Sequence, residues 1–231
     1  MPYKDNREYR FFRDFNLLKP EQRAEGAQDP EEQDGGIVEG YASTFEEYEL
    51  YRYKGANYDE VWIEEIAPDA FDDADMTDVV FLRDHTGAVM ARTKNKLIDL
   101  SVDEKGLFTK TDLTKTSTAR AMYEDIAVGN YSQMSFAFTI AAQEWTEIDQ
   151  RDTDGIYIIK RKITAINKVF DISAVAFPAN PTTDISPATR AAFNGEIERL
   201  KTERSEAQAF RREQARKALE LKIKVMEAMR T

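Results

Sequence analysis

Between Gln133 and Thr139 the side chains alternate without exception: Gln133, Met134, Ser135, Phe136, Ala137, Phe138, Thr139. A strand turns successive side chains to opposite faces, so this segment predicts a strand that buries Met134, Phe136 and Phe138 together. Ser135 then shares the other face with Gln133, Ala137 and Thr139, a face expected to be small and open, as a peptide-receiving surface would need. Other stretches follow the same pattern. Strands are predicted over 37–45, 61–66, 79–82 and 169–177. Two hairpins are predicted, 97–102 with 107–113 around Asp103-Glu104-Lys105-Gly106, and 143–147 with 155–163 around Asp152-Thr153-Asp154-Gly155. In the first, glycine is expected where the turn needs positive φ. With 42% hydrophobic and 11% aromatic residues, such strands can close a real core.

The helical signals are few. Thr116 or Ser117 can cap a helix whose apolar spacing runs Ala119, Met122, Tyr123, Ile126, and Gly129 stands where a helix ends. A short acidic helix is expected from Asp69 to Ala74, after Pro68. The segment 3–18 mixes charge with aromatics and could supply an edge strand, and 19–36, with two prolines and three glycines, reads as a linker. Beyond Gly195 the pattern changes. Residues 196–230 contain no Gly or Pro and carry ten basic against seven acidic residues, a net +3 that leaves −14 on residues 1–195. Ile197, Leu200, Ala207, Phe210, Ala218, Leu221, Val225 and Met229 form a broken apolar stripe at helical spacing. The expected organisation is therefore an N-terminal strand and linker over 1–36, a core over 37–190, and a charged C-terminal helix over 191–231. That helix either folds back on the core or serves as a docking or scaffold-like element. The fold class is mainly β with helices, α+β.

Composition removes several chemistries. With no cysteine there is no thiol nucleophile, disulfide or thiolate metal site, and with one histidine a zinc site would need mostly carboxylates. Asp69, Asp72, Asp73, Asp75 and Asp78 lack calcium-loop spacing and read as a solvated face. No phosphate-cradling glycine loop or dinucleotide fingerprint occurs, so neither cofactor nor metal is expected. A net charge of −11 argues against nucleic acid as partner. No apolar run approaches the ~20 residues of a membrane helix, and Met1 to Asp5 has no signal-peptide core, so the chain is expected to remain in the compartment where it is made.

The lone histidine, His85, follows the apolar run 79–82 and precedes Gly87, a place where a strand end can carry a functional side chain. A serine hydroxyl needs a neighbouring general base and a third polar group to orient it. Ser135 and His85 are the candidate nucleophile and base. Asp84, Asp171 and Asp184 are candidates for the third place. Asp171 is the best of them, because a carboxylate in Phe170-Asp171-Ile172-Ser173-Ala174-Val175 calls for a buried partner. Asp84 would point away from His85 if the strand continued, and Asp184 lies in an expected loop.

The order of several motifs resembles the caudovirus prohead protease family, the capsid-maturation serine proteases of tailed phages. The motifs are Tyr9-Arg10-Phe11-Phe12, Val38-Glu39-Gly40-Tyr41-Ala42-Ser43-Thr44-Phe45, Glu65-Ile66-Ala67-Pro68-Asp69-Ala70-Phe71 and the His85 segment. They continue with Asp103-Glu104-Lys105-Gly106-Leu107, Gly129 followed by Met134-Ser135-Phe136-Ala137-Phe138, and Asp171-Ile172-Ser173-Ala174-Val175-Ala176-Phe177-Pro178-Ala179-Asn180-Pro181. The resemblance spans about residues 8 to 185. It implies an antiparallel β-barrel-like core similar to the herpesvirus assembly protease, with the serine and histidine on neighbouring strands. It places the nucleophile at Ser135, the base at His85 and the acid at Asp171, where the family usually has the longer Glu. It also departs from the family's common glycines at Gln133 and Ala137. The implied activity is a serine endopeptidase that cleaves scaffold or scaffold-like capsid segments, and itself, inside the immature capsid in the host cytoplasm. Implied partners are capsid and scaffold proteins, with a homodimer or higher oligomer as an option. The alternative from another class is a non-enzymatic assembly or scaffolding module docked through the C-terminal helix.

Overall fold

A computed structural model describes residues 7–12, 15–16, 36–176 and 187–228. The linker expected over 19–36 lies almost wholly outside the described residues, as do Phe177, the Pro178 to Pro181 stop and Asp184. The chain divides into two compact units, Met1–Thr189 and Arg190–Thr231.

The first unit is built from two sheets. In chain order its strands are β1 (Glu8–Phe12), β2 (Phe15–Asn16), β3 (Ile37–Thr44), β4 (Tyr48–Lys54), β5 (Asp59–Ile66), β6 (Val80–Arg83) and β7 (Thr86–Arg92). They continue with β8 (Ile98–Val102), β9 (Gly106–Asp112), β10 (Gln133–Gln150) and β11 (Ile156–Val175), with helix α1 (Ser117–Ala127) before β10. The larger sheet runs β1-β10-β11-β5-β4, and β6, carrying β7 beside it, pairs with β11 beyond the end of β5. The smaller sheet runs β2-β3-β9-β8. The mixed α+β class stands, but the sheets do not close into a barrel: β1 and β4 end one sheet, β2 and β8 the other.

Core residues come from both sheets and α1. Val38, Ala42, Ile98 and Leu107 of the smaller sheet cluster with Ile66, Phe81, Phe136, Phe138, Ile163 and Ile172 of the larger one, and with Ala119, Met122 and Ile126 of α1. Phe136 and Phe138 stack with ring centroids 4.4 Å apart. The helix is bounded as its sequence predicts. Thr116 accepts a hydrogen bond from the Ala119 amide at 3.1 Å, and Gly129 adopts φ +87° just past the end.

Two features differ from expectation because strand length and turn type are tertiary matters. The period-two segments around Ser135 and Gln143 are one 18-residue strand, β10, and the segments before and after Ile163 are one 20-residue strand, β11. Register shifts between Ala137 and Gln143 break the alternation there, which is why each strand reads as two. The acidic helix after Pro68 is a single 3-10 turn, Pro68–Phe71, since Ala70 and Phe71 must both face the core. Strands β4 and β7 escape prediction. Gly106 is needed for a different reason than φ: a β-carbon there would lie 2.0 Å from the Ser43 carbonyl oxygen. In the other hairpin it is Gly155 that takes a positive φ, +65°.

A buried charge cluster locks β1, β5 and β11 together. Glu64 accepts from Arg10 at 2.7 Å and from Arg161 at 2.7 Å, Arg161 also reaches Glu8 at 3.0 Å, and Thr189 donates to Glu8 at 2.9 Å. All five are nine-tenths or more buried, and Tyr48 donates to Glu64 as well. Burial alone would push the Glu64 carboxyl up, but the two guanidiniums and the bonds from Arg10 and Tyr48 outweigh it and hold it at about 2. Buried charge is tolerated here because every member is paired, and removing one strands the others.

The second unit is the remainder of α2 (Pro187–Ala228). Its surface carries helical-spacing ion pairs such as Arg199 to Glu196, while Phe210 and Leu219 are exposed at 65% and 59%. No helix among the described residues is long and apolar enough to cross a membrane.

Glu64→Ala is expected to cost about 3–5 kcal/mol in urea unfolding, since it leaves Arg10 and Arg161 buried without their shared partner. Because the folded Glu64 pKa lies near 2, below its ordinary 4.5, its contribution is complete above pH 4.5 and is lost as pH falls toward 2. Wild-type stability should decline across that window, and the Glu64→Ala variant should show a flatter decline.

Candidate active site

The placement of His85 begins with β6. It pairs in parallel with β11, Val80 beside Asp171 and Arg83 beside Ala174. The chain then reverses within two residues: Arg83 pairs with Thr86, and Asp84 and His85 between them take φ 45° and 56°. Two successive left-handed residues make the tight turn whose twist matches the flanking strands. Residues bearing a β-carbon pay roughly 1 kcal/mol or more each for that conformation. Three hydrogen bonds, two to β11 and one to the residue just after it, hold the turn in place. The Asp84 amide donates to the Ala174 carbonyl at 3.1 Å, the Ala176 amide donates to Asp84 Oδ1 at 3.3 Å, and the His85 amide donates to Ser173 Oγ at 3.2 Å.

Sheet register assembles the rest. Ser135 on β10 lies opposite Ser173 on β11, Ala137 lies opposite Asp171, and Tyr9 on β1 lies opposite Ala137. Alternation therefore puts Ser135, Ala137, Asp171, Ser173 and Tyr9 on one face. Met134, Phe136, Ile172 and Ala174 enter the core on the other. Neighbouring strands are about 4.8 Å apart, so the turn ending β6 stands two strand spacings from β10. The imidazole covers that distance. His85 Nδ1 lies 2.6 Å from Asp171 Oδ1, and Nε2 contacts Ser135 Oγ. Since a carboxylate oxygen accepts, Nδ1 carries the proton and the Nε2 lone pair faces the hydroxyl. Ser173 Oγ donates to Asp171 Oδ1 at 2.8 Å and lies 3.3 Å from Nδ1. The Tyr9 ring packs edge-on against the imidazole, centroids 4.5 Å apart. Ala137 contributes only a methyl group on this face, between Tyr9 and Asp171 in the sheet register.

Three sequence candidates thus converge: Ser135, His85 and Asp171. Asp171, one methylene shorter than the family's usual Glu, still reaches the imidazole because the turn is bonded directly to β11. Asp84 has another partner. The strand turns instead of continuing, and its carboxylate serves the Ala176 amide. His85 and Ser135 are not on neighbouring strands, since β11 separates β6 from β10. The Ser135 face is also not open. Ser135 and Ala137 are fully buried, with β1 paired along the free edge of β10, while the His85 side chain retains 12% exposure. Ser173 and Tyr9 were not singled out by sequence. Ser173 is two residues from Asp171 in a period-two strand, so it had to share that face, and this was a usable signal.

Such a constellation polarises a hydroxyl toward a neutral imidazole whose tautomer is held by a carboxylate, the arrangement required for nucleophilic attack on a carbonyl. Comparison with known proteins agrees with the motifs. A family model described as caudovirus prohead serine protease matches residues 24–196, about three quarters of the chain, and takes in all three converging residues. No curated protein and no solved structure matches.

The left-handed turn gives a direct test. Asp84→Gly should change stability by less than about 1 kcal/mol, because relief of strain offsets the lost bond to Ala176. Asp84→Pro should lower the denaturation midpoint clearly, since proline demands φ near −65° and has no N–H for Ala174.

Proposed function

Because the chain belongs to the caudovirus prohead serine protease family, and so is a serine peptidase of phage capsid maturation, we propose that Ser135 is its nucleophile, His85 its general base and Asp171 the group that orients the imidazole. The observation that carries this reading is the unbroken path from Asp171 Oδ1 through His85 Nδ1 and Nε2 to Ser135 Oγ. In the first step Ser135 Oγ attacks the scissile carbonyl carbon while Nε2 takes the hydroxyl proton. The tetrahedral intermediate collapses with cleavage of the C–N bond, and His85 returns the proton to the departing amine. Water then attacks the acyl-serine, again giving its proton to Nε2, and Ser135 leaves with a proton restored. Asp171 remains ionised throughout and stabilises the imidazolium.

The proposed substrates are scaffold segments, or the scaffold-like part of the capsid protein, and the chain itself, within the prohead in the host cytoplasm. The proposed role of residues 191–231 is docking, supported by apolar side chains left at the surface of a highly charged helix, Phe210 and Leu219. Truncation after Gly195 should then abolish targeting and leave peptide hydrolysis intact.

Ser135→Ala and His85→Ala should each eliminate scaffold processing and self-cleavage, read as discrete truncation products by mass spectrometry, with the circular dichroism spectrum unchanged. Asp171→Asn should lower kcat by about 10⁴-fold, because an amide that donates toward Nδ1 selects the wrong tautomer. Scaffold processing that persists in Ser135→Ala would sink the assignment.

A further inference from the structure

Resting on that reading of the site, we infer that Ser173 is a positioning residue that sets the aim and tautomer of His85. Its hydroxyl is fully buried and sits at the point where the acid and the base converge. A serine hydroxyl offers one proton and two lone pairs. The proton goes to Asp171 Oδ1 at 2.8 Å, the same oxygen that receives His85 Nδ1–H at 2.6 Å. One lone pair receives the His85 backbone N–H at 3.2 Å, and the oxygen stands 3.3 Å from Nδ1. Ser173 thus holds both ends of the contact: the rotation of the carboxylate and the backbone on which the imidazole is mounted.

Two features of the fold make that contact necessary. His85 occupies a left-handed conformation, φ 56°, that a side-chain-bearing residue leaves readily unless its surroundings hold it there. The hydrogen bond from its amide to Ser173 fastens the second of the two turn residues to β11, as the Asp84 amide fastens the first. Asp171 has only two side-chain torsions between its backbone and Oδ1, and the Ser173 hydroxyl pins that oxygen toward Nδ1. Without it the carboxylate can rotate, Nδ1 loses its single preferred acceptor, and the proton can move to Nε2, where it would face Ser135 with a donor in place of a lone pair. Substrate binding need not change, because Ser173 is fully buried and its hydroxyl is bonded to Asp171 and the His85 amide.

The presence of one histidine in the chain makes the test direct, since every imidazole signal in a nitrogen-15 NMR spectrum belongs to His85. The wild type should show a single Nδ1–H tautomer with a downfield Nδ1 proton. Ser173→Ala should lose that proton signal and show mixed tautomers, with kcat on scaffold peptide down about 10²-fold, the scale of an ångström-level misplacement. KM should stay within about twofold, as for a group that acts on the reacting geometry alone. Ser173→Thr restores a hydroxyl and should restore both readings. Ser173→Cys, closest in volume but a poor hydrogen-bonding group, should behave like Ala and carries the test if another variant fails to fold. A Ser173→Ala protein that keeps the single tautomer and wild-type kcat overturns the proposal, as does a folded Thr variant that restores neither. The tautomer readout does not require turnover, so failure here is separable from failure of the protease reading, which is decided by Ser135→Ala.

Discussion

Strand β11 is the constraint on which the rest of the first unit depends. Over 20 residues it accepts β10 along one edge, and β5 and then β6 along the other. A strand of that length, paired on both edges for most of its run, satisfies nearly all its backbone groups within the sheet. Its two halves do different work. Arg161 in the first half joins the buried charge cluster, and Asp171 and Ser173 in the second half meet the imidazole. Register errors along β11 would exchange these faces, since a slip of one residue turns every side chain over.

The charge cluster and the site are also linked through β1. Adjacent residues on this strand face opposite ways: Arg10 enters the ion pairs with Glu8 and Glu64, and Tyr9 packs against His85. The cluster thus supplies the anchorage for a short edge strand that also covers the strand bearing Ser135. Hydrophobic contacts alone would hold five residues only weakly. A fully paired set of buried charges adds a geometric requirement, because it is favourable only when every partner is present.

The turn at Asp84 and His85 is held in a locally strained conformation by its bonds to the neighbouring strand. Neither residue is glycine, yet both are left-handed, and each is tied to β11 by its own amide. That arrangement turns the imidazole back over β11 toward a serine two strands away. It also places the Nδ1 proton against a carboxylate whose rotation is limited by Ser173. The placement of the imidazole is therefore inherited from sheet pairing, which is stiffer than a free loop would be.

Much of this was legible from residues alone. Alternation around Ser135 identified its strand and its core-facing side chains, Thr116 and Gly129 bounded α1, and an isolated carboxylate among apolar residues at Asp171 called for a partner. Those are local properties, determined by side-chain period, capping chemistry and the cost of burying charge. Other features were not legible. Strand lengths were missed because bulges interrupt the period, β7 because its pairing partner supplies the register, and the closed Ser135 face because β1 lies over a hundred residues away in sequence. The sequence by itself determined the candidate residues, the strands that carry them and the core-facing side of the Ser135 strand, because these follow from side-chain period and chemistry. Only the tertiary structure decided that His85 reaches Ser135 across β11, and that Ser173 bonds both Asp171 and the His85 amide, because strand order and register are set by pairings between distant segments.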